Sequence, residues 1–112
     1  MNNKVIGRIG ENAAVQYLES KGYTIRERNF RCKAGEIDVI ATKDNSISFV
    51  EVKTRQNFNY GRPCEAVTYN KQNRIRQCAQ YYLKGLERNG LRHISVKFEV
   101  IEIVIRHTES AF

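Results

Sequence analysis

Two runs of strand-forming residues, Glu36 to Thr42 and Ile47 to Lys53, flank the tetrapeptide Lys43-Asp44-Asn45-Ser46. Asp-Asn suits a tight turn, so the segment reads as a β-hairpin. With Asp44-Asn45 as a two-residue turn, paired residue numbers sum to 89. Asp38 then faces Glu51, Glu36 faces Lys53, and Ile40 faces Phe49. Val39 faces Val50, Ile37 faces Val52, and Ala41 faces Ser48. Side chains alternate along a strand, so these two sets occupy opposite faces. One face is an apolar surface for a core. The other carries Glu36, Asp38, Glu51 and Lys53 at the end away from the turn.

Like charges directly opposed in a hairpin are destabilising. Asp38 against Glu51 therefore needs a compensating partner. A divalent cation is one, because carboxylates with backbone carbonyls and waters suit Mg2+ or Mn2+. Lys53 lies on the same face, two residues beyond Glu51. There it is placed to hold a phosphate oxygen or to help activate a water, as metal-assisted phosphodiester hydrolysis requires. The plain alternative is a solvated sheet face in which Lys53 merely neutralises Glu36 and Glu51.

The remaining elements follow from periodicity. Residues 4 to about 20 predict a helix whose apolar side is Val5, Ile6, Ile9, Ala13, Tyr17 and Leu18, stopped by Gly22. Tyr23 to Phe30 reads as a short polar edge strand. Gln56 to Pro63 is the expected loop, around the single proline. Ala66 to Arg88 predicts a second helix with the stripe Ile75, Cys78, Ala79, Tyr82, Leu83 and Leu86, ended by Asn89-Gly90. Arg74, Gln77, Tyr81, Lys84 and Arg88 fall mostly on another face. Ser95 to Ile105 is the last strand. The order α-β-β-β-α-β predicts an α/β or α+β sandwich with a mixed sheet. A single domain over 1–106 is expected, with 107–112 as a frayed tail.

Charge narrows the partner. Nineteen Lys and Arg against twelve Asp and Glu give the chain a net charge of +7. Between Lys53 and Arg92 there are nine basic residues and only Glu65 and Glu87 as acids, so this stretch accounts for the whole excess. Such one-sidedness points to a polyanion, with nucleic acid ahead of an anionic membrane surface. No apolar run approaches the roughly 20 residues of a membrane span, and the N-terminus has no signal-peptide h-region. Cys32, Cys64 and Cys78 are odd in number and widely spaced, which fits neither a disulfide framework nor a zinc site. Reduced thiols in a cytoplasmic protein are expected.

The wording of the hairpin is also familiar. Asp38 followed by Glu51-Val52-Lys53 resembles the PD-(D/E)XK nuclease signature. Gly35-Glu36-Ile37-Asp38-Val39-Ile40-Ala41, Phe49-Val50-Glu51-Val52-Lys53-Thr54-Arg55, the opening Gly7-x-x-Gly10-Glu11-x-Ala13-Ala14 and Glu65-Ala66-Val67-x-x-x-Lys71 resemble the YraN family. That family is endonuclease-like and similar to archaeal Holliday-junction resolvases. The resemblance covers residues 4 to 105 and implies a restriction-endonuclease-like core. It implies Asp38, Glu51 and Glu11 as metal-binding carboxylates and Lys53 as the catalytic lysine; Glu36 has no fixed role in the signature and is a candidate supporting group behind them. Ile37 stands where the signature's name has proline, a position that varies. Gln77-x-x-x-Tyr81 resembles a motif of another nuclease branch.

From the residues themselves, Glu11 lies one or two positions off the first helix's apolar stripe. Lys71 lies in phase with Ile75, Cys78 and Tyr82, able to reach toward the hairpin face or a phosphate. The expectation is a Mg2+- or Mn2+-dependent DNA endonuclease, with Arg8, Arg55, Lys71 and Arg74 holding the backbone. Branched or structured DNA is the expected substrate, RNA remains open, and a homodimer would present two sites. The rivals are a nucleic-acid-binding module without turnover and a regulatory interaction protein.

Overall fold

The computed structural model describes residues 3–56, 67–90 and 94–112. The elements run α1 (Asn3–Ser20), β1 (Thr24–Cys32), β2 (Gly35–Lys43), β3 (Ser46–Gln56), α2 (Tyr69–Arg88) and β4 (Ser95–Ile105). This is the α-β-β-β-α-β order expected from the sequence. The four strands lie in the order β1-β2-β3-β4. β1, β2 and β3 form an antiparallel meander, and β4 joins β3 in parallel, so the sheet is mixed. Thr68 caps α2, its hydroxyl accepting the Lys71 N–H at 3.2 Å. Most of the expected loop, with Pro63, and the residues Cys64, Glu65, Ala66, Arg92 and His93 lie outside the described residues.

The predicted hairpin register holds from Lys43↔Ser46 through Val39↔Val50. Asp44 takes up the left-handed turn conformation, with φ 53°. Beyond Val39 and Val50 the described ladder stops, so the expected pairs Asp38/Glu51, Ile37/Val52 and Glu36/Lys53 do not form. β2 stays with β1 there, through Phe30↔Ile37 and Arg31↔Glu36. β3 stays with β4, through Glu51↔Val100 and Lys53↔Glu102. The hairpin is splayed at its open end.

Both faces of the hairpin are buried, which corrects the expectation of one apolar and one polar face. α2 covers Ile40, Ile47 and Phe49 with the predicted stripe from Ile75 to Leu86. α1 covers Val39, Ala41 and Val50 with Leu18 and Val15. Ile37 breaks the alternation and joins the α2 core. Beside it, Asn29 faces Asp38 between the pairs Arg28↔Val39 and Phe30↔Ile37, at φ 52°. The irregularity sits where β2 parts from β3.

The buried side of α1 is Gly10, Ala14 and Leu18. Val5, Ile9 and Tyr17, assigned inward from the sequence, are about half exposed. The reason is a close approach to β3. A Cβ on Gly10 would lie 1.7 Å from Thr54 Oγ1, so only glycine lets the helix settle there. The contact turns the helix about its axis by roughly one residue. On the outer strand β4, Val96, Phe98, Val100 and Val104 share one face and are also about half exposed. α2 packs over β2 and β1 rather than β4. After Ile105 the chain has no further helix or strand and is exposed.

Candidate functional site

The splayed end of the hairpin opens into two adjoining clefts. Gly35, Glu36, Asp38 and Glu51 line the α2 side with Lys71, Arg74 and Ile75, in a space of about 380 Å³. On the α1 side Glu36 and Asp38 meet Glu11, Asn12, Gly7, Arg8 and Lys4 from the helix. Arg28, Asn29 and Arg31 of β1 and Val52 and Thr54 of β3 complete that wall. Asp38 and Glu36 belong to both clefts.

Asp38 is held by the break in the sheet. The Val52 N–H, donating toward β2 where the ladder has ended, bonds to Asp38 Oδ2 at 2.8 Å. Burial nonetheless pushes the Asp38 carboxyl up to about 6, opposed by the Val52 hydrogen bond and reinforced by the charges of Glu51, Glu11 and Glu36. The four carboxylates therefore share one electrostatic neighbourhood. Glu51 is nearly buried, and Lys71 Nζ lies 2.5 Å from its Oε1. The lysine thus snorkels toward the hairpin, the option its phase in the helix allowed.

Glu11 reaches the site from α1 and is clasped by β1. Its Oε1 accepts from Asn29 Nδ2 at 2.8 Å and from Arg28 Nε and Nη2, each at 3.3 Å. Arg28 also donates to Asn12 Oδ1 at 2.6 Å. Glu36 pairs with Arg31 at 3.4 Å. Arg28, Asn29 and Arg31 were not among the residues expected to hold a polyanion, which were Arg8, Arg55, Lys71 and Arg74. Their signal was the run Arg26-Glu27-Arg28-Asn29-Phe30-Arg31, too polar for an edge strand with no neighbour to serve.

The other expected residues divide. Arg8 and Arg74 stand exposed on the two cleft walls. Lys53 is half-buried on β3, paired in register with Glu102, and lines neither described cleft. Arg55 is engaged with Glu102 in an ion pair at 2.7 Å, without the alignment of a hydrogen bond. Gln77 and Tyr81 are exposed and away from both clefts, with Tyr81 beside Phe30 at 6.3 Å between ring centroids. Their face of α2 turns outward because the opposite face fills the core.

Carboxylate oxygens are the donor type that a hard divalent cation takes. Asp38 and Glu51 offer carboxylate oxygens, the Asp38 carboxyl is raised by burial and by the neighbouring carboxylates, and Lys71 already sits on Glu51. Among the described residues no three ligand-type side chains converge on one point. Glu11 is turned to Arg28 and Asn29, and Glu51 to Lys71.

Residues 10–103 match the profile of a family described as "Uncharacterised protein family UPF0102". The chain belongs to the UPF0102 family. A UPF0102 protein of Dictyoglomus turgidum is 44% identical over 105 residues, covering 94% of this chain and 86% of the relative. One from Clostridium botulinum strain Hall is 46% identical over 110 residues, covering 98% and 88%. One from Caldanaerobacter subterraneus subsp. tengcongensis is 46% identical over 105 residues, covering 94% and 84%. The matched UPF0102 segment contains Glu11, Asp38, Glu51, Lys71, all of α2 and the second half of α1. The expected YraN membership therefore holds at the level of the family. Among the described residues no helix is long and apolar enough to cross a membrane.

Proposed function

We propose that this protein is a divalent-metal-dependent DNA endonuclease of the PD-(D/E)XK type, acting on branched or otherwise structured DNA. The observation that carries this reading is that Asp38 and Glu51 line one cleft at the splayed end of the hairpin, with Lys71 and Arg74 on its wall, while Asp38 also faces Arg8 and Arg28 across the adjoining cleft. Asp38 and Glu51 would hold Mg2+ or Mn2+, with Glu11 joining them if it leaves Arg28 and Asn29. The bound cation would supply charge that polarises the scissile phosphate and acidifies an attacking water.

The chain's own residues do the rest. Arg8 and Arg28 on one wall and Arg74 on the other bind phosphates flanking the reacting one. Such contacts carry affinity without sequence information, so recognition follows DNA shape. Lys71, once released from Glu51, is free to join them. Lys53 offers its ammonium to developing phosphate charge, provided its side chain extends past Glu51 toward the cleft. The Val52 N–H keeps Asp38 oriented while its neighbours are occupied.

One observation favours a second reading. The clasp on Glu11 and the Lys71–Glu51 pair leave the carboxylates apart. That arrangement suits a nucleic-acid-binding module with little or no turnover.

A labelled panel of linear duplex, single strand, flap, four-way junction and RNA duplex separates the two. It is incubated with Mg2+, Mn2+ or EDTA, beside Asp38→Asn and Lys53→Ala proteins. Cleavage that needs the metal and is lost in both variants supports the nuclease. Tight binding to one structure with no cleavage under any metal supports the binding module.

A further inference from the structure

Cys32 closes β1 and Cys78 lies midway along α2, 46 positions apart in sequence. Their Sγ atoms are 2.6 Å apart. That is only about half an ångström beyond a sulfur–sulfur bond of ~2.05 Å. Neither partner sits on a loose segment. Cys78 is fully buried in the α2 core, and Cys32 packs against the same core while keeping some exposure. The chain corner after Cys32 already touches the helix, since a Cβ on Gly35 would lie 3.4 Å from Arg74 Cβ.

We propose that Cys32 and Cys78 form a reversible thiol–disulfide site, oxidised by low-molecular-weight disulfides, that cross-links the β1–β2 corner to α2. The two thiols have different roles. Cys32 is the less buried member and the attacking one. Its pKa is lowered by the hydrogen bond with Cys78 and by the Ala34 N–H, which donates to its Sγ at 3.3 Å. Burial and the Cys32 hydrogen bond push the Cys78 thiol up to about 12, so it remains protonated until its partner has reacted.

The Cys32 thiolate attacks one sulfur of the small disulfide, expelling the other half as a thiolate. This leaves a mixed disulfide on Cys32. Cys78 then gives its proton to the released thiolate, and its sulfur attacks Cys32 Sγ. The second half leaves as a thiol once protonated by solvent. The protein dithiol has lost two electrons, and the small disulfide has become two thiols.

The bond would join both walls of the α2-side cleft. Glu36 follows the corner held by Cys32, and Arg74 lies one helical turn before Cys78. The proposal does not rest on any reaction at that cleft.

The test uses the folded full-length protein with oxidised glutathione, quenched with N-ethylmaleimide and mapped as non-reduced peptides. The expected product is a Cys32–Cys78 linked peptide, lost again on adding dithiothreitol, with a melting temperature above that of the reduced protein. The Cys78→Ala protein should stop at a stable glutathione adduct on Cys32. The Cys32→Ala protein should leave Cys78 unmodified. Circular dichroism checks that both variants fold. A lasting glutathione adduct on Cys32 of the unaltered protein, linkage of either residue to Cys64, or full alkylation of both thiols would overturn the proposal.

Discussion

The Val52 N–H donates to the Asp38 carboxylate at 2.8 Å, across the point where β2 and β3 part. A side chain thereby replaces a backbone acceptor at the break in the ladder. The same replacement sets a half-buried carboxylate near three others. The fold thus carries a local electrostatic cost at this point.

That cost has a measurable pH dependence. Asp38 is raised to about 6 in the folded protein. In the unfolded chain an aspartate titrates near ~3.9. The native state therefore holds this proton more tightly. The penalty is full above the folded pKa and fades as pH falls toward the unfolded one. Asp38→Asn keeps an acceptor for Val52 and removes the charge. In metal-free buffer the variant should be more stable than the parent by about 1–2 kcal/mol at pH 8. The gain should shrink toward zero near pH 4. Urea unfolding of both proteins at the two pH values checks this. A destabilised variant at pH 8 would mean that the charged hydrogen bond outweighs burial.

If Asp38 and Glu51 hold the cation, Mn2+ should raise the melting temperature of the metal-free protein. A ligand at a hundred times its Kd contributes about 2.7 kcal/mol. The shift should vanish in Asp38→Asn and Glu51→Gln. Lys71→Ala should bind Mn2+ more tightly, because the ammonium no longer competes for Glu51. Isothermal titration of the variants reads both effects.

The Gly10–Thr54 contact predicts a cost that a second substitution relieves. Gly10→Ala would drive a methyl into Thr54 Oγ1 and should cost about 1–3 kcal/mol despite alanine's better helix propensity. Thr54→Ala removes Oγ1 and Cγ2 but leaves the Thr54 Cβ 2.7 Å from the new methyl, so the double variant should recover part of the loss. Thermal melts of the three variants give the coupling. Additive losses would show that the helix does not rest on this strand.

Nucleic-acid binding should weaken steeply with salt, by a slope of about −0.9 for each duplex phosphate neutralised. Arg74→Ala should flatten the slope by about one such contact and weaken all sequences alike. Gln77→Ala and Tyr81→Ala should leave binding and cleavage unchanged, since neither side chain lines a cleft. Fluorescence anisotropy across a salt series distinguishes them. A flat response would remove nucleic acid as the partner.

Several features were legible in the sequence because local chemistry decides them. Alternation and the Asp44-Asn45 turn determined the hairpin register as far as Val39↔Val50. Helical spacing picked out the α2 stripe from Ile75 to Leu86, and the polar run after Tyr23 marked an edge strand. Asp38, Glu51 and Lys71 could be singled out because charged groups among strand formers or in phase with a core stripe are costly to place. Only the tertiary structure decided the rest. Past Val39, β2 keeps only its β1 neighbour and β3 only its β4 neighbour, a parting that the hairpin's own spacing does not reveal. The rotation of α1 depends on Thr54, far along the chain, so Gly10 and Ala14 turn inward while Ile9 and Tyr17 remain half exposed. The clasp of Arg28 and Asn29 on Glu11, and the meeting of Cys32 with Cys78, likewise join residues that sequence spacing leaves unrelated. Periodicity reports which side of an element is apolar, whereas the choice of neighbour is made by all the elements packing at once.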